Sequence, residues 1–219
     1  MKKQLFTIIL ALCAMTGFAQ NDESGADWNN QCYFQYDCVI PNDNWGGYNR
    51  HFAFGDRFYY GDVYNIGGSI SLDFYRFRRS SELIDFEGAT SHKIAARSMQ
   101  VKTEIFQRIA IKSWGVNWDL GAFGGIALTR KARDYQEHIS APGETFPYDK
   151  QIVTHYTGCT NMNRFQYGIT TRIGKDFDDL TLSLIGYYRL SNITTGNDPL
   201  FGNVANQPSR WSVGLEVAF

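Results

Sequence analysis

The stretch that decides the fold is Trp211-Ser212-Val213-Gly214-Leu215-Glu216-Val217-Ala218-Phe219. Read with a period of two, Trp211, Val213, Leu215, Val217 and Phe219 share one face. Ser212, Gly214, Glu216 and Ala218 share the other. Alternate side chains of a β-strand point to opposite faces. The segment therefore reads as a strand with one apolar and one polar side.

Five further segments repeat the pattern. In residues 66–75, Ile66, Gly68, Ile70, Leu72 and Phe74 oppose Gly67, Ser69, Ser71, Asp73 and Tyr75. In residues 101–112, Val101, Ile105, Ile109 and Ile111, with Thr103 and Gln107 as blemishes, oppose Lys102, Glu104, Phe106, Arg108, Ala110 and Lys112. Residues 116–129 set Val116, Trp118, Leu120, Ala122, Ile126 and Leu128 against Asn117, Asp119, Gly121, Ala127 and Thr129. Residues 164–173 set Phe165, Tyr167, Ile169 and Ile173 against Arg164, Gln166, Gly168 and Arg172. Residues 180–190 set Leu180, Leu182, Leu184 and Tyr188 against Thr181, Ser183, Tyr187 and Arg189. Strict alternation over such lengths is the signature of a strand with one buried face. Residues 33–40 and 50–60 alternate more weakly, the second interrupted by Asp56, and bring the count to eight.

Composition narrows the class. The chain has 219 residues, a formal net charge of −1, 43% hydrophobic residues and 21 glycines against 5 prolines. Its mean hydropathy of −0.33 would pass for that of a water-soluble protein. A membrane barrel gives the same average, because polar inward residues cancel apolar outward ones. The charge balance predicts no nucleic-acid partner. Lys2 and Lys3, then an apolar stretch over residues 5–14, then Gly17 and Ala19, read as a signal peptide cleaved after Ala19. That assigns residues 1–19 to a leader and 20–219 to one domain. No apolar run approaches the ~20 residues of a transmembrane helix, so a membrane protein of this sequence must be a closed barrel.

The terminal motif resembles the C-terminal insertion signal of bacterial outer-membrane β-barrels. A polar Ser212, then Gly214, then Val217 and a final Phe219 carry the resemblance. Leader, alternation and motif together are similar to the small outer-membrane barrel family, with the eight-stranded barrels of outer-membrane proteins A and X as examples. The resemblance implies an all-β, eight-stranded antiparallel transmembrane up-and-down β-barrel with short periplasmic turns and long extracellular loops. It also implies outer-membrane lipids and lipopolysaccharide as neighbours, insertion by the barrel-assembly machinery, and function carried by the loops. Connection lengths fit an alternation of short and long: residues 60–63, 112–115 and 174–179 are short, whereas 78–97, 130–162 and 191–209 are long. The polar faces carry both signs, Asp73, Glu104, Asp119 and Glu216 against Lys102, Arg108, Lys112, Arg164, Arg172 and Arg189. Since an eight-stranded lumen is just wide enough to be filled by side chains, these residues are expected to cross-link it as a charge network. A lipocalin-like soluble barrel shows the same alternation with its apolar face inward.

Chemistry-bearing residues are few. If residues 33–40 form a strand, Cys32 and Cys38 lie about 20 Å apart and cannot form a disulfide. His138 and Ser140 form a His-x-Ser pair, with Glu144 nearby, similar to that of outer-membrane lipid A deacylases. Ala141-Pro142 departs from that family's pattern. No metal-ligand spacing and no cofactor motif is present, so neither metal nor cofactor is expected. The expected function is non-enzymatic: envelope structure, adhesion or another surface interaction with an extracellular ligand. The alternatives are a narrow porin-like solute or ion pore and a lipid A-modifying barrel enzyme.

Overall fold

The computed structural model describes residues 28–40, 49–60, 64–85, 88–140, 150–157, 162–177, 180–193 and 210–219. The expected leader, its expected cleavage position and Glu144 lie outside the described residues. Nine strands follow in order: β1 Trp28–Val39, β2 Asn49–Tyr60, β3 Tyr64–Asp85, β4 Gly88–Ile111, β5 Val116–Ser140, β6 Lys150–Thr157, β7 Phe165–Phe177, β8 Leu180–Arg189 and β9 Trp211–Ala218. Every pairing is antiparallel. β1 pairs with β9 as well as β2, and β4 with β5 as well as β3, so the sheet closes on itself. β6 and β7 both lie along β5, β6 at residues 131–138 and β7 at 116–126. They occupy one stave, and the result is a closed, up-and-down, eight-stranded barrel. Closure leaves no unpaired edge within the ring.

The register shows a sheared barrel. A path perpendicular to the strands runs from Lys131 on β5 through Arg97, Arg76, Arg50, Cys38, Val213, Gly186 and Thr171. It meets β5 again at Leu120, far below Lys131. Such an offset tilts the strands against the axis. The pairing of β4 with β5 also slips between Met99 and Gln100, where Leu128 is the extra residue. Below this bulge even-numbered residues of β5 face out; above it Lys131 and Arg133 are exposed and Ala132 and Asp134 buried.

The alternation sorts by face as the sequence pattern requires. Phe34, Phe52, Ile105, Trp118, Leu120, Ile169, Leu184, Val213 and Leu215 are exposed on the outside. Asp73, Lys102, Glu104, Arg172 and Glu216 are buried inside. Trp211 lies against Tyr188, ring centroids 4.5 Å apart. Asp56, the blemish on β2, faces outward yet is only 9% exposed. Cys32, its direct partner on β1, donates a hydrogen bond to it at 3.0 Å.

Two connections differ from expectation. Residues 78–97 and 130–162, read as long loops, largely extend the strands. β3, β4 and β5 have 22, 24 and 25 residues, about 70–80 Å of chain each. With β6 they project as a four-stranded sheet beyond one end of the ring. At the opposite end Lys112–Trp114 forms one 3-10 turn, and Gly115 follows at φ 57°, a left-handed conformation that glycine adopts freely. Residues 41–48, between β1 and β2, lie outside the described residues.

Gly67 makes room inside. A Cβ there would sit 2.5 Å from the Phe106 ring and 2.6 Å from the Phe58 carbonyl oxygen. Gly67→Val is therefore expected to evict Phe106 and cost about 1–3 kcal/mol of stability. Urea unfolding of the refolded barrel measures it. An unchanged midpoint would mean the ring has space elsewhere.

Candidate functional site

Period-two parity and an eight-stave ring together put charged side chains in the interior. The lower tier, toward the C-terminal end, begins with a direct cross-strand row, Arg108 on β4, Asp119 on β5 and Arg172 on β7. Arg108 grips Asp119 with two bonds, Nε to Oδ1 at 2.7 Å and Nη2 to Oδ2 at 3.0 Å. Arg172 fans across the lumen. Its Nη1 is 3.0 Å from Asp119 Oδ2, its Nη2 3.4 Å from Glu104 Oε2, and its Nε 3.0 Å from Glu216 Oε1. Arg57 Nη2 also pairs with Glu216 Oε1. The Phe106 ring lies among these cations, 5.9, 5.8 and 5.8 Å from the guanidinium carbons of Arg57, Arg108 and Arg172. Three guanidiniums face three carboxylates, so the tier is neutral overall.

The upper tier is a closed ring of hydrogen bonds. His51 on β2 bonds Asp37 Oδ1 through Nδ1 and Asp73 Oδ2 through Nε2, the latter at 2.8 Å. Both ring nitrogens face carboxylate acceptors, so the doubly protonated ring satisfies both. Lys102 Nζ bonds Asp73 Oδ2 at 2.9 Å and the Tyr187 hydroxyl at 3.0 Å. That hydroxyl donates to Gln35 Oε1 at 2.8 Å, and Gln35 Nε2 donates back to Asp37 Oδ1 at 2.7 Å. The ring thus ties β1, β2, β3 and β4 to β8 across the lumen. Tyr75 stacks on His51 at 4.1 Å with its plane 5° off parallel. Gly214, opposite Asp37, leaves the space: a Cβ there would lie 2.2 Å from Asp37 Cβ.

Above both tiers sits an apolar plug. Val39, Tyr75, Phe77, Ile94, Ala96, Ala132, Met162 and Ile193 form one buried cluster. Asn163 bonds Ile193 and Asn192 through its backbone and side-chain amides, at 2.9 and 2.6 Å. At the other end the barrel opens into a polar bowl of about 380 Å³, lined by Tyr59, Asn65, Arg108, Asn117 and Asp176 among others. Within the two tiers, among the described residues, each carboxylate faces a cation, whereas Arg189 above them is buried against the Tyr75 ring with no ion pair. The pairs cross-link staves on opposite sides of the lumen.

The residues predicted for the lumen divide as follows. Asp73, Lys102, Glu104, Arg108, Asp119, Arg172, Arg189 and Glu216 are buried inside. Arg189 lies over the Tyr75 ring at 5.1 Å. Arg164 is a correction: β7 begins at Phe165, and Arg164 is exposed in the bend before it. Lys112 starts the 3-10 turn at the barrel's end. Sequence reading missed Gln35, Asp37, His51 and Arg57, and it set Tyr187 on the polar face without a partner. The same parity, applied to the two weak strands, places Asp37, His51 and Arg57 inward. Of the terminal motif, Ser212 is buried inward, Val217 is half-buried and Phe219 is exposed. The Phe219 backbone exchanges two hydrogen bonds with Cys32. Cys32 and Cys38 both lie on β1, with no disulfide between them. His138 and Ser140 end β5, paired with Thr90 and Gly88 on β4. Among the described residues no His, Cys, Asp or Glu cluster could hold a metal, and no helix is long and apolar enough to cross a membrane.

No protein-family model matches the chain, and no curated protein does either.

Arg172→Met should cost about 3–5 kcal/mol, because it leaves Glu104, Asp119 and Glu216 buried with too little positive charge. Denaturant unfolding in detergent reads this. A loss below about 1 kcal/mol would mean that water, and not Arg172, neutralises those carboxylates.

Proposed function

We propose that this chain is an integral outer-membrane β-barrel that serves envelope structure and surface interaction without catalysis. The observation that carries the reading is the inverted polarity: aliphatic and aromatic side chains cover the outside while paired charges fill the inside. Water would favour the opposite arrangement; hydrocarbon demands this one, because lipid satisfies no polar group. Trp211 with Tyr188 on one side and Trp118 on another suit the aromatic girdles at which such barrels meet the headgroups. The leader and the Ser212, Gly214, Val217 and Phe219 motif support export and insertion by the barrel-assembly machinery. Neutral, cross-tied tiers and an apolar plug argue for a closed lumen, against the pore alternative. The strands projecting beyond the ring support surface interaction. On β6, Ile152 and Val153 are both exposed although they point to opposite faces.

The outer-membrane fraction, run on a gel boiled and unboiled, should show a heat-dependent mobility shift, lost on deletion of Phe219. A soluble periplasmic protein with no shift would contradict the reading. In planar bilayers the wild type should carry no steady current. An ohmic conductance lost in Arg108→Ala or Arg172→Ala would establish the pore alternative instead.

A further inference from the structure

We infer that Arg50, Arg76, Arg97 and Lys131 form a binding site on the outer wall for the phosphate groups of an outer-leaflet glycolipid. The inference rests on the membrane reading above. These four are direct cross-strand partners in one unbroken row over β2, β3, β4 and β5. At about 4.8 Å per strand the row spans roughly 14 Å. Like charges placed directly opposite one another destabilise a sheet, and this sheet holds three such contacts in succession. Arg50, Arg97 and Lys131 are exposed and Arg76 is half-buried. The charges of Arg50, Arg78 and Arg97 all bear on Arg76. Among the described residues, none of the four has a carboxylate partner.

Three further observations point to an anion. Arg76 Nε is buried and has no acceptor among the described residues. The β5 bulge re-aims its strand so that Lys131 joins the row, while Arg130 turns to bond the Met162 carbonyl at 2.7 Å. A bulge that redirects one side chain is a built feature. Finally, each basic residue sits just above an outward apolar one: Phe52 below Arg50, Phe74 below Arg76, Met99 below Arg97 and Leu128 below Lys131. All four strands thus change from apolar to basic at one register. Phosphates of an anionic membrane lipid lie at that boundary, where surface lysines and arginines attract them. Strand tilt makes the row climb from β2 to β5, which spreads the cations through the depth of a headgroup and not along a line.

The test uses the full mature chain refolded in detergent, with phosphorylated lipid A and the same lipid A enzymatically dephosphorylated as probes. Lipid retained per barrel is counted by native mass spectrometry. The wild type should hold the phosphorylated form at least about tenfold better. The fourfold variant Arg50→Gln, Arg76→Gln, Arg97→Gln, Lys131→Gln should lose that preference and keep its heat-dependent gel shift. Arg50→Lys with Arg76→Lys and Arg97→Lys should keep both, so the proposal stays testable if the glutamine variant does not fold. Equal retention of the two lipids by the wild type, or an unchanged preference in the glutamine variant, overturns the site. Displacement of bound lipid by millimolar inorganic phosphate would show a free-phosphate site and overturn the glycolipid assignment. A wild type without a heat shift would instead bring down the membrane reading itself.

Discussion

The two tiers of this barrel depend on the pairing of opposite charges in a lumen just wide enough for side chains. A buried ion costs several kcal/mol unless partnered, and an eight-stave ring leaves room for side chains only. Arg172 meets that constraint most fully, dividing its guanidinium among Glu104, Asp119 and Glu216. Its carboxylates come from β4, β5 and β9, so one side chain ties together staves that are not neighbours. Above it, the Asp37–His51–Asp73–Lys102–Tyr187–Gln35 ring does the same for the other side. Registers that would break these pairs are penalised twice, by lost ladder bonds and by orphaned charge.

The polar interior also fixes what the exterior can be. With period-two parity, filling the inside with charge leaves the outside apolar. Where the inside turns apolar, at the Val39–Phe77–Ile94–Met162 plug, the outside turns basic, at Arg50, Arg76, Arg97 and Lys131. The change on both faces falls near one level of the barrel. On the proposed reading, that level marks the membrane surface, and the sheet of β3 to β6 extends past it.

The ring was legible because each central strand has one face of each polarity. β3, β5, β7, β8 and β9 alternate almost without fault over the lengths that cross the ring. Residues 78–85 and 88–97 carry no such contrast: Arg78, Arg79, Ser80, Ser81 and Glu82 give neither face an apolar set, so a strand there looks like a loop. Ladder pairing between the two strands continues through this stretch, and burial enters at Ile94 and Ala96, which join the plug. β1 and β2 were harder because Asp56 breaks the apolar face, and only the Cys32 hydrogen bond across the pair explains its presence there. Parity alone located most of the lower tier. It erred at Arg164, where the strand begins one residue later than the pattern suggests. It also could not foresee the bulge at Leu128, which reverses the facing of the rest of β5. The long-range bonds, such as Lys102 to Tyr187 and Tyr187 to Gln35, depend on ring closure and have no signature in local sequence.

On the proposed reading, the two faces of each stave meet different media, hydrocarbon outside and a packed polar interior within. Nitroxide labels placed singly at Leu182, Ser183, Leu184 and Ile185 of β8, in a cysteine-free barrel reconstituted in lipid, test this most directly. Electron paramagnetic resonance then compares collisions with apolar oxygen and with a water-soluble nickel complex. Strong oxygen access and little nickel access are expected at 182 and 184, with neither reagent reaching 183 and 185. Nickel access at 182 and 184, with the inward positions open to apolar probes, would contradict it and turn the barrel inside out.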